Sequence, residues 1–207
     1  MCEDRSTLRI VQSGRDVKSW RRHLPSPDEV RPAWCPGCGA ASRPHGARLQ
    51  VHGHGLRERQ QRGPLDPDGP AVVIVITARR YRCCACGAVL LVVPCGVLPG
   101  RHFSAGAIAW ALALFGVEGL PARTVRARVS PWRVVGATAA AGWTAIRRWT
   151  RAARQGRLFA AVRAAPANWT CRQHAARIAT TLAARAPPGL RHLPLAAQAF
   201  HGAAQAG

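Results

Sequence analysis

Cys35-Pro36-Gly37-Cys38-Gly39 and Cys83-Cys84-Ala85-Cys86-Gly87 decide how the front half of this 207-residue chain folds. Two residues between thiols let one tight turn point both sulfurs at a single ion. A glycine after the second cysteine tolerates the left-handed backbone of such a knuckle and leaves amides facing sulfur. Cys35, Cys38, Cys83 and Cys86 are therefore expected to bind Zn²⁺ as a closed tetrahedron with no water position, a structural rather than a catalytic site. The 44 residues between Cys38 and Cys83 exceed the usual ribbon interval of roughly 15–20. The insertion carries its own turn signals and a strand, so a zinc ribbon with an enlarged hairpin accommodates it.

Other ligands compete. His52-Gly53-His54 lies in the insertion, and Cys84 and Cys95 are further thiols. The two histidines share one face if extended, but the glycines around them suggest a flexible loop. Cys84, inside the knuckle, should point away from the metal, and Cys2 and Cys171 read as inert. Arg31, Arg79, Arg80 and Arg82 are close enough in sequence to offset thiolate charge.

Working outward, residues 1–30 are polar, hold Pro25-Ser26-Pro27 and read as a loosely ordered arm with room for a short helix over 17–22. Residues 31–100 form the ribbon. Within it, 71–77 and 88–93 are apolar, β-branched strands, and 63–70, rich in Gly, Pro and Asp, is a loop. From residue 101 the pattern turns helical. Ser104 caps a helix over 105–115, Pro121 opens one over 121–128, and Ser130-Pro131 opens a third over 131–140. Gly142 breaks it, and Thr144 caps a fourth over 145–155. The third and fourth have helix-turn-helix proportions, giving a bundle over 101–156. Residues 157–207 read as a basic Ala-rich tail, helical around 172–185, with the last 20 residues weakly ordered. The fold class is α+β: a small β-rich zinc ribbon, an all-α helix-turn-helix bundle and that tail.

The charge is unusual. Lys and Arg number 30 against nine Asp and Glu, a formal net charge of +21. Coding bias explains why Lys18 is the only lysine; it does not explain missing acids. Glu118 is the last carboxylate residue, and the 89 residues after it hold fourteen arginines. Such an imbalance attracts polyanions. In the fourth helix Ile146, Trp149 and Ala153 recur with the spacing of an inward face. Arg147, Arg151 and Arg154, with Arg148 beside them, form a basic stripe. Inserted in a major groove, that stripe places Thr144 near bases and the arginines near phosphates; as an ordinary amphipathic helix, it is a solvated face. Trp132 and Trp143 could stack on bases, but at these positions they read first as core residues.

No apolar leader opens the chain, and the longest apolar run, 105–117, is shorter than the roughly 20 residues a bilayer span needs. A reducing compartment follows, where eight cysteines favour metal over disulfides. The expected location is cytoplasmic, with the nucleoid. Neither a nucleophile–base pattern nor a phosphate-binding glycine loop stands out, so the chain is expected not to be an enzyme.

The Cys35-Pro-Gly-Cys-Gly knuckle, Arg43-Pro44-His45-Gly46, Arg79-Arg80-Tyr81-Arg82-Cys83 through Cys86-Gly87, and Leu98-Pro99-Gly100-Arg101-His102-Phe103-Ser104 together resemble the N-terminal part of bacterial insertion-sequence (transposase-like) proteins. Thr144-Ala145-Ile146-Arg147-Arg148-Trp149 is similar to the start of their recognition helix. The resemblance covers residues 34–155. It implies a zinc ribbon joined to a helix-turn-helix and binding of double-stranded DNA from a mobile element. It does not extend to ribonuclease-H chemistry, which needs carboxylates for two metal ions where this sequence has none. An RNA- or ribosome-binding zinc ribbon and a protein-interaction scaffold remain the alternatives.

Overall fold

In the computed structural model, residues 8–132 and 143–205 are described. They form a mixed α/β structure with one four-stranded sheet and six helices. Two compact units divide it: Met1–Gln60 with Val75–Cys95, and Gln61–Ile74 with Gly96–Gly207.

The first unit is built on the sheet. The strands of the sheet are β1 (Arg9–Gln12), β2 (Val51–Gly63), β3 (Val72–Cys83) and β4 (Val89–Val93), in the order β1-β4-β3-β2, with residues 61–63 and 72–74 counted in the second unit. β4 is central and nearly all buried, which suits its apolar run Val89-Leu90-Leu91-Val92-Val93. It pairs antiparallel with β3, Tyr81 opposite Leu90, and parallel with β1, Ile10 opposite Leu91. β3 alternates exposed and buried residues, so Ile76, Ala78 and Tyr81 enter the core.

Two expectations are corrected here. Residues 8–30 are not a loose arm. Besides β1 they form α1 (Val17–Arg22), capped by Asp16, whose carboxylate accepts from the Ser19 amide at 2.9 Å. Trp20 is 1% exposed, and its indole donates to the Thr77 carbonyl at 2.9 Å. The Tyr81 hydroxyl donates to Pro27 at 2.6 Å. One large aromatic ring outweighs the polar residues around it, because it brings over 150 Å² of surface to bury. His52-Gly53-His54 is likewise not a loop but the start of β2. β2 buries few side chains, so its strand character comes from backbone pairing with β3, and Arg57-Glu58-Arg59 charge this outer edge.

In the second unit the centre is α2 (Ala105–Gly116), whose residues 105–114 are all buried. Ser104 caps it as expected, accepting from the Ala107 amide at 3.0 Å. α3 (Ala122–Val129), α4 (Ala145–Arg154), α5 (Cys171–Ala183) and α6 (Leu195–Ala203) follow. α2 packs on α5 and α6, which also pack on each other. The residues expected to be a weakly ordered tail are thus part of the core: Ile178, Leu182, Ala199 and Ala203 are buried in the same cluster as Trp110 and Leu112. Alanine buries little area, but it lets helix backbones approach closely, and the area is recovered in number of contacts. α5 opens with a capping box, Thr170 and Gln173 bonding reciprocally. Arg172 donates to the Phe115 carbonyl and stacks on its ring, satisfying the C-terminal end of α2. The expected third helix, 131–140, lies outside the described residues from 133 onward.

Glycine marks the closest approaches. A Cβ on Gly202 would stand 1.9 Å from the Leu182 carbonyl oxygen, and one on Gly116 would stand 2.3 Å from the Ala176 amide nitrogen. Gly202→Ala is therefore expected to destabilise the protein by about 1–3 kcal/mol in chemical denaturation. Gly189→Ala, where nothing lies within 4 Å of the new methyl, should stay within about 0.5 kcal/mol of the parent.

Candidate functional site

Both cysteine pairs occupy the same local structure. The Cys35 amide bonds to Ala40 at 2.8 Å and the Gly39 amide returns to Cys35 at 2.8 Å; the Cys83 amide bonds to Ala88 at 3.0 Å and the Gly87 amide returns to Cys83 at 2.9 Å. Gly39 and Gly87 have φ of 74° and 73°, the left-handed conformation that glycine adopts without a Cβ penalty. The second knuckle is the turn from β3 into β4. The first is closed by an antiparallel bridge, Trp34 to Ala41. A third bond, from the Cys84 amide to Gln50 at 2.8 Å, ties the second knuckle to the residue before β2.

The four sulfurs of Cys35, Cys38, Cys83 and Cys86 lie within 4.8 Å of one another. Cys35 to Cys86 is 3.7 Å and Cys38 to Cys83 is 3.8 Å. A tetrahedron with metal–sulfur bonds of about 2.3 Å has edges of about 3.8 Å, whereas a disulfide needs about 2.05 Å. The spacing fits one central ion and no covalent bridge. Cys35 and Cys83 are buried while Cys38 and Cys86 are exposed, so the cluster has one open side for an ion to enter. A Cβ on Gly37 would sit 3.4 Å from both the Cys35 and Cys86 sulfurs; the bare backbone there leaves the sulfurs room and sends its amide to Cys35 Sγ at 3.3 Å.

The thiols are electrostatically in conflict. Burial pushes Cys35 up, but the Gly37 and Cys38 amides and the Cys83 and Cys86 thiols outweigh it and bring it down to about 7. Cys83 is raised, first by burial and then by Cys35 and Cys38. For Cys86 the Ala88 amide acts downward, yet burial and the other three thiols push it up to about 12. Four such groups cannot all ionise without a cation among them, and a central divalent ion removes the conflict.

Two of the arginines expected beside the thiolates are engaged elsewhere. Arg31 pairs with Asp28 at 2.6 Å, donates to the Val51 carbonyl and lies 5.6 Å from the Tyr81 ring centroid. Arg79 donates to Pro25 at 2.7 Å. They brace the segment entering the first knuckle. Cys84 points out of the cluster, its Sγ 3.4 Å from His52 Nε2, and Cys95 is half-buried, its thiol raised by burial.

In the second unit, α4 presents the two faces its sequence indicates. Ile146, Trp149 and Ala153 are buried; Arg147, Arg148, Arg151 and Arg154 are exposed. Among the described residues none of these four arginines forms an ion pair. Thr144 is exposed and, contrary to expectation, makes no capping bond, because its own backbone is already helical. Trp143 packs on the core, edge-to-face with Trp149 at 5.2 Å. Trp132 does not; it is 54% exposed.

Two further basic sites in this unit escaped the sequence. Arg154, Arg163 and Arg177 line a small cavity with His174, whose Nε2 is buried without a hydrogen-bond partner among the described residues and whose pKa is lowered by burial and then by Arg154. A larger cleft joins Arg62, Arg126 and Arg148 to Phe103, Trp132 and Trp143. Their residues come from segments far apart in the chain, and only folding brings them together.

No family model matches the chain, and neither a curated protein nor a solved structure does. Among the described residues no helix is long and apolar enough to cross a membrane.

Cys83→Ser is expected to abolish metal binding at the four-cysteine cluster and to unfold the sheet unit, measured by elemental analysis of gel-filtered protein and by near-ultraviolet circular dichroism. Cys84→Ser, with its thiol outside the cluster, should keep the full metal content.

Proposed function

We propose that this chain is a zinc-dependent DNA-binding protein related to the N-terminal regions of mobile-element proteins, without catalytic activity of its own. Zinc is the ion best suited to four thiolates at these separations: it accepts tetrahedral sulfur coordination without redox chemistry. Its role is structural, since four protein ligands leave no position for water or substrate. The ribbon spans residues 31–100, and the helix-turn-helix spans 101–156 with α4 as its recognition helix.

The observation that carries the DNA reading is the exposed row Arg147, Arg148, Arg151 and Arg154 on α4, in a stretch where no carboxylate follows Glu118. A row of arginines on a solvated face normally alternates with acids that relieve repulsion; here polyanion phosphates supply the missing charge. From Arg147 to Arg154 the helix rises about 10 Å, and at about 3.4 Å per phosphate along one strand that length spans about three intervals, room for four phosphates. Thr144, its hydroxyl uncommitted at the start of α4, is placed to meet a base edge when the helix enters the major groove. A DNA partner would place the protein with the nucleoid.

Salt dependence tests this. Four phosphate contacts predict a slope of log K against log salt of about −3.6 from α4, and Arg147→Ala with Arg151→Ala should flatten the total slope by about 2, measured by fluorescence anisotropy on duplex DNA. An unchanged slope removes α4 from the interface. Tighter binding to structured RNA than to duplex DNA would instead favour the RNA-binding alternative, because A-form RNA closes its major groove to a helix.

A further inference from the structure

We infer that the cleft beside α4 is a pocket for a single unpaired nucleotide, so that the protein distinguishes DNA carrying a displaced or unpaired base from fully paired duplex; the inference rests on the DNA-binding reading above. The cleft lies wholly within the second unit and has a volume of about 320 Å³, within the range of small-ligand sites.

Its walls differ in chemistry. One is aromatic. Trp132 is 54% exposed, a large apolar surface left in water, and its ring is backed by the Arg62 guanidinium at 5.7 Å from the centroid. Trp143 is held rigid by edge-to-face contacts with Phe103 at 6.2 Å and Trp149 at 5.2 Å. The other wall is cationic: Arg126 from α3 and Arg148 from α4 line it, and none of the lining residues is acidic. Arg62 lines the cleft as well, so a third guanidinium stands with Arg126 and Arg148 beside the aromatic residues.

These features select the occupant. An acidic peptide would neutralise Arg126 and Arg148 but offer nothing flat to Trp132. An apolar ligand would cover Trp132 and leave the arginines without a counter-charge. An unpaired nucleotide answers both: its base stacks on an indole, since every base has a π face, and its phosphate lies against the arginines. Arg148 belongs both to this cleft and to the basic row of α4, so a nucleotide in the cleft can be continuous with duplex on that helix.

The zinc-loaded full-length chain is titrated with three labelled DNAs of one sequence: a blunt duplex, the same duplex with a one-nucleotide bulge, and the same duplex with a single-stranded overhang. The bulged and overhanging forms should bind about tenfold more tightly than the blunt form. Trp132→Ala should abolish that preference while leaving blunt-duplex affinity intact, and Trp132→Phe should keep most of it. As a second readout, 2-aminopurine at the bulged position should be quenched by the parent protein through stacking, and far less by the alanine variant. Equal affinity for all three DNAs, with salt-dependent duplex binding preserved, overturns the pocket and leaves the DNA reading standing. Binding to none of them overturns both. A preference that survives Trp132→Ala, or 2-aminopurine fluorescence unaffected by the parent protein, overturns the assignment to this cleft; should Trp132→Ala fail to fold, the 2-aminopurine signal of the parent protein decides.

Discussion

Four sulfurs held within 4.8 Å of each other are unfavourable company without a cation. Each thiolate raises the pKa of its neighbours, and the amides that could stabilise one sulfur cannot serve all four. Yet the backbone around them is arranged for this proximity: two superimposable knuckles, each closed by a pair of backbone bonds and a left-handed glycine, and a third glycine, Gly37, that keeps a side chain out of the sulfurs' way. The second knuckle is the β3–β4 turn, and the Cys84 amide fastens it to the residue before β2. The register of the sheet and the geometry of the metal site are therefore one constraint. An ion at the centre would hold together segments separated by 44 residues, closing a loop whose entropy the small sheet core would otherwise have to offset.

The helical unit solves a different problem. Its chain is rich in alanine and poor in large apolar residues, so area burial per residue is low. It compensates by proximity. Gly116 sits against the α5 backbone and Gly202 against the C-terminal end of α5, with α2 buried from residue 105 to 114. Packing of this kind has little tolerance for added volume. It also leaves the large aromatic residues for specific tasks: Trp149 anchors α4 in the core, Trp143 braces it, and Trp132 remains in solvent.

Charge shapes the surface of that unit. Arginines on α4, around the His174 cavity and in the Trp132 cleft have no carboxylates after Glu118 to answer them. Self-repulsion of this kind disfavours the compact state. By contrast, three acids of the first unit are used within the fold: Asp16 caps α1, Asp28 joins Arg31 and Arg43, and Glu29 joins Arg15.

What the sequence determined by itself is what depends on near neighbours. The spacing and glycines of the knuckles, the apolar runs of β3 and β4, the Ser104 cap of α2 and the two faces of α4 are local patterns, and each stands where its residues indicate. Only the tertiary structure decided the rest, because its causes lie far along the chain. Trp20 orders the N-terminal segment through Thr77, 57 residues away. β2 is a strand because β3 lies beside it, not because of its own glycines and charges. α5 and α6 belong to the core because α2 gives them an apolar surface to cover. The cleft of Arg62, Arg126, Trp132 and Arg148 exists only once two helices, their flanking loops and the end of a strand have met, and no periodicity in the chain encodes a meeting of that kind.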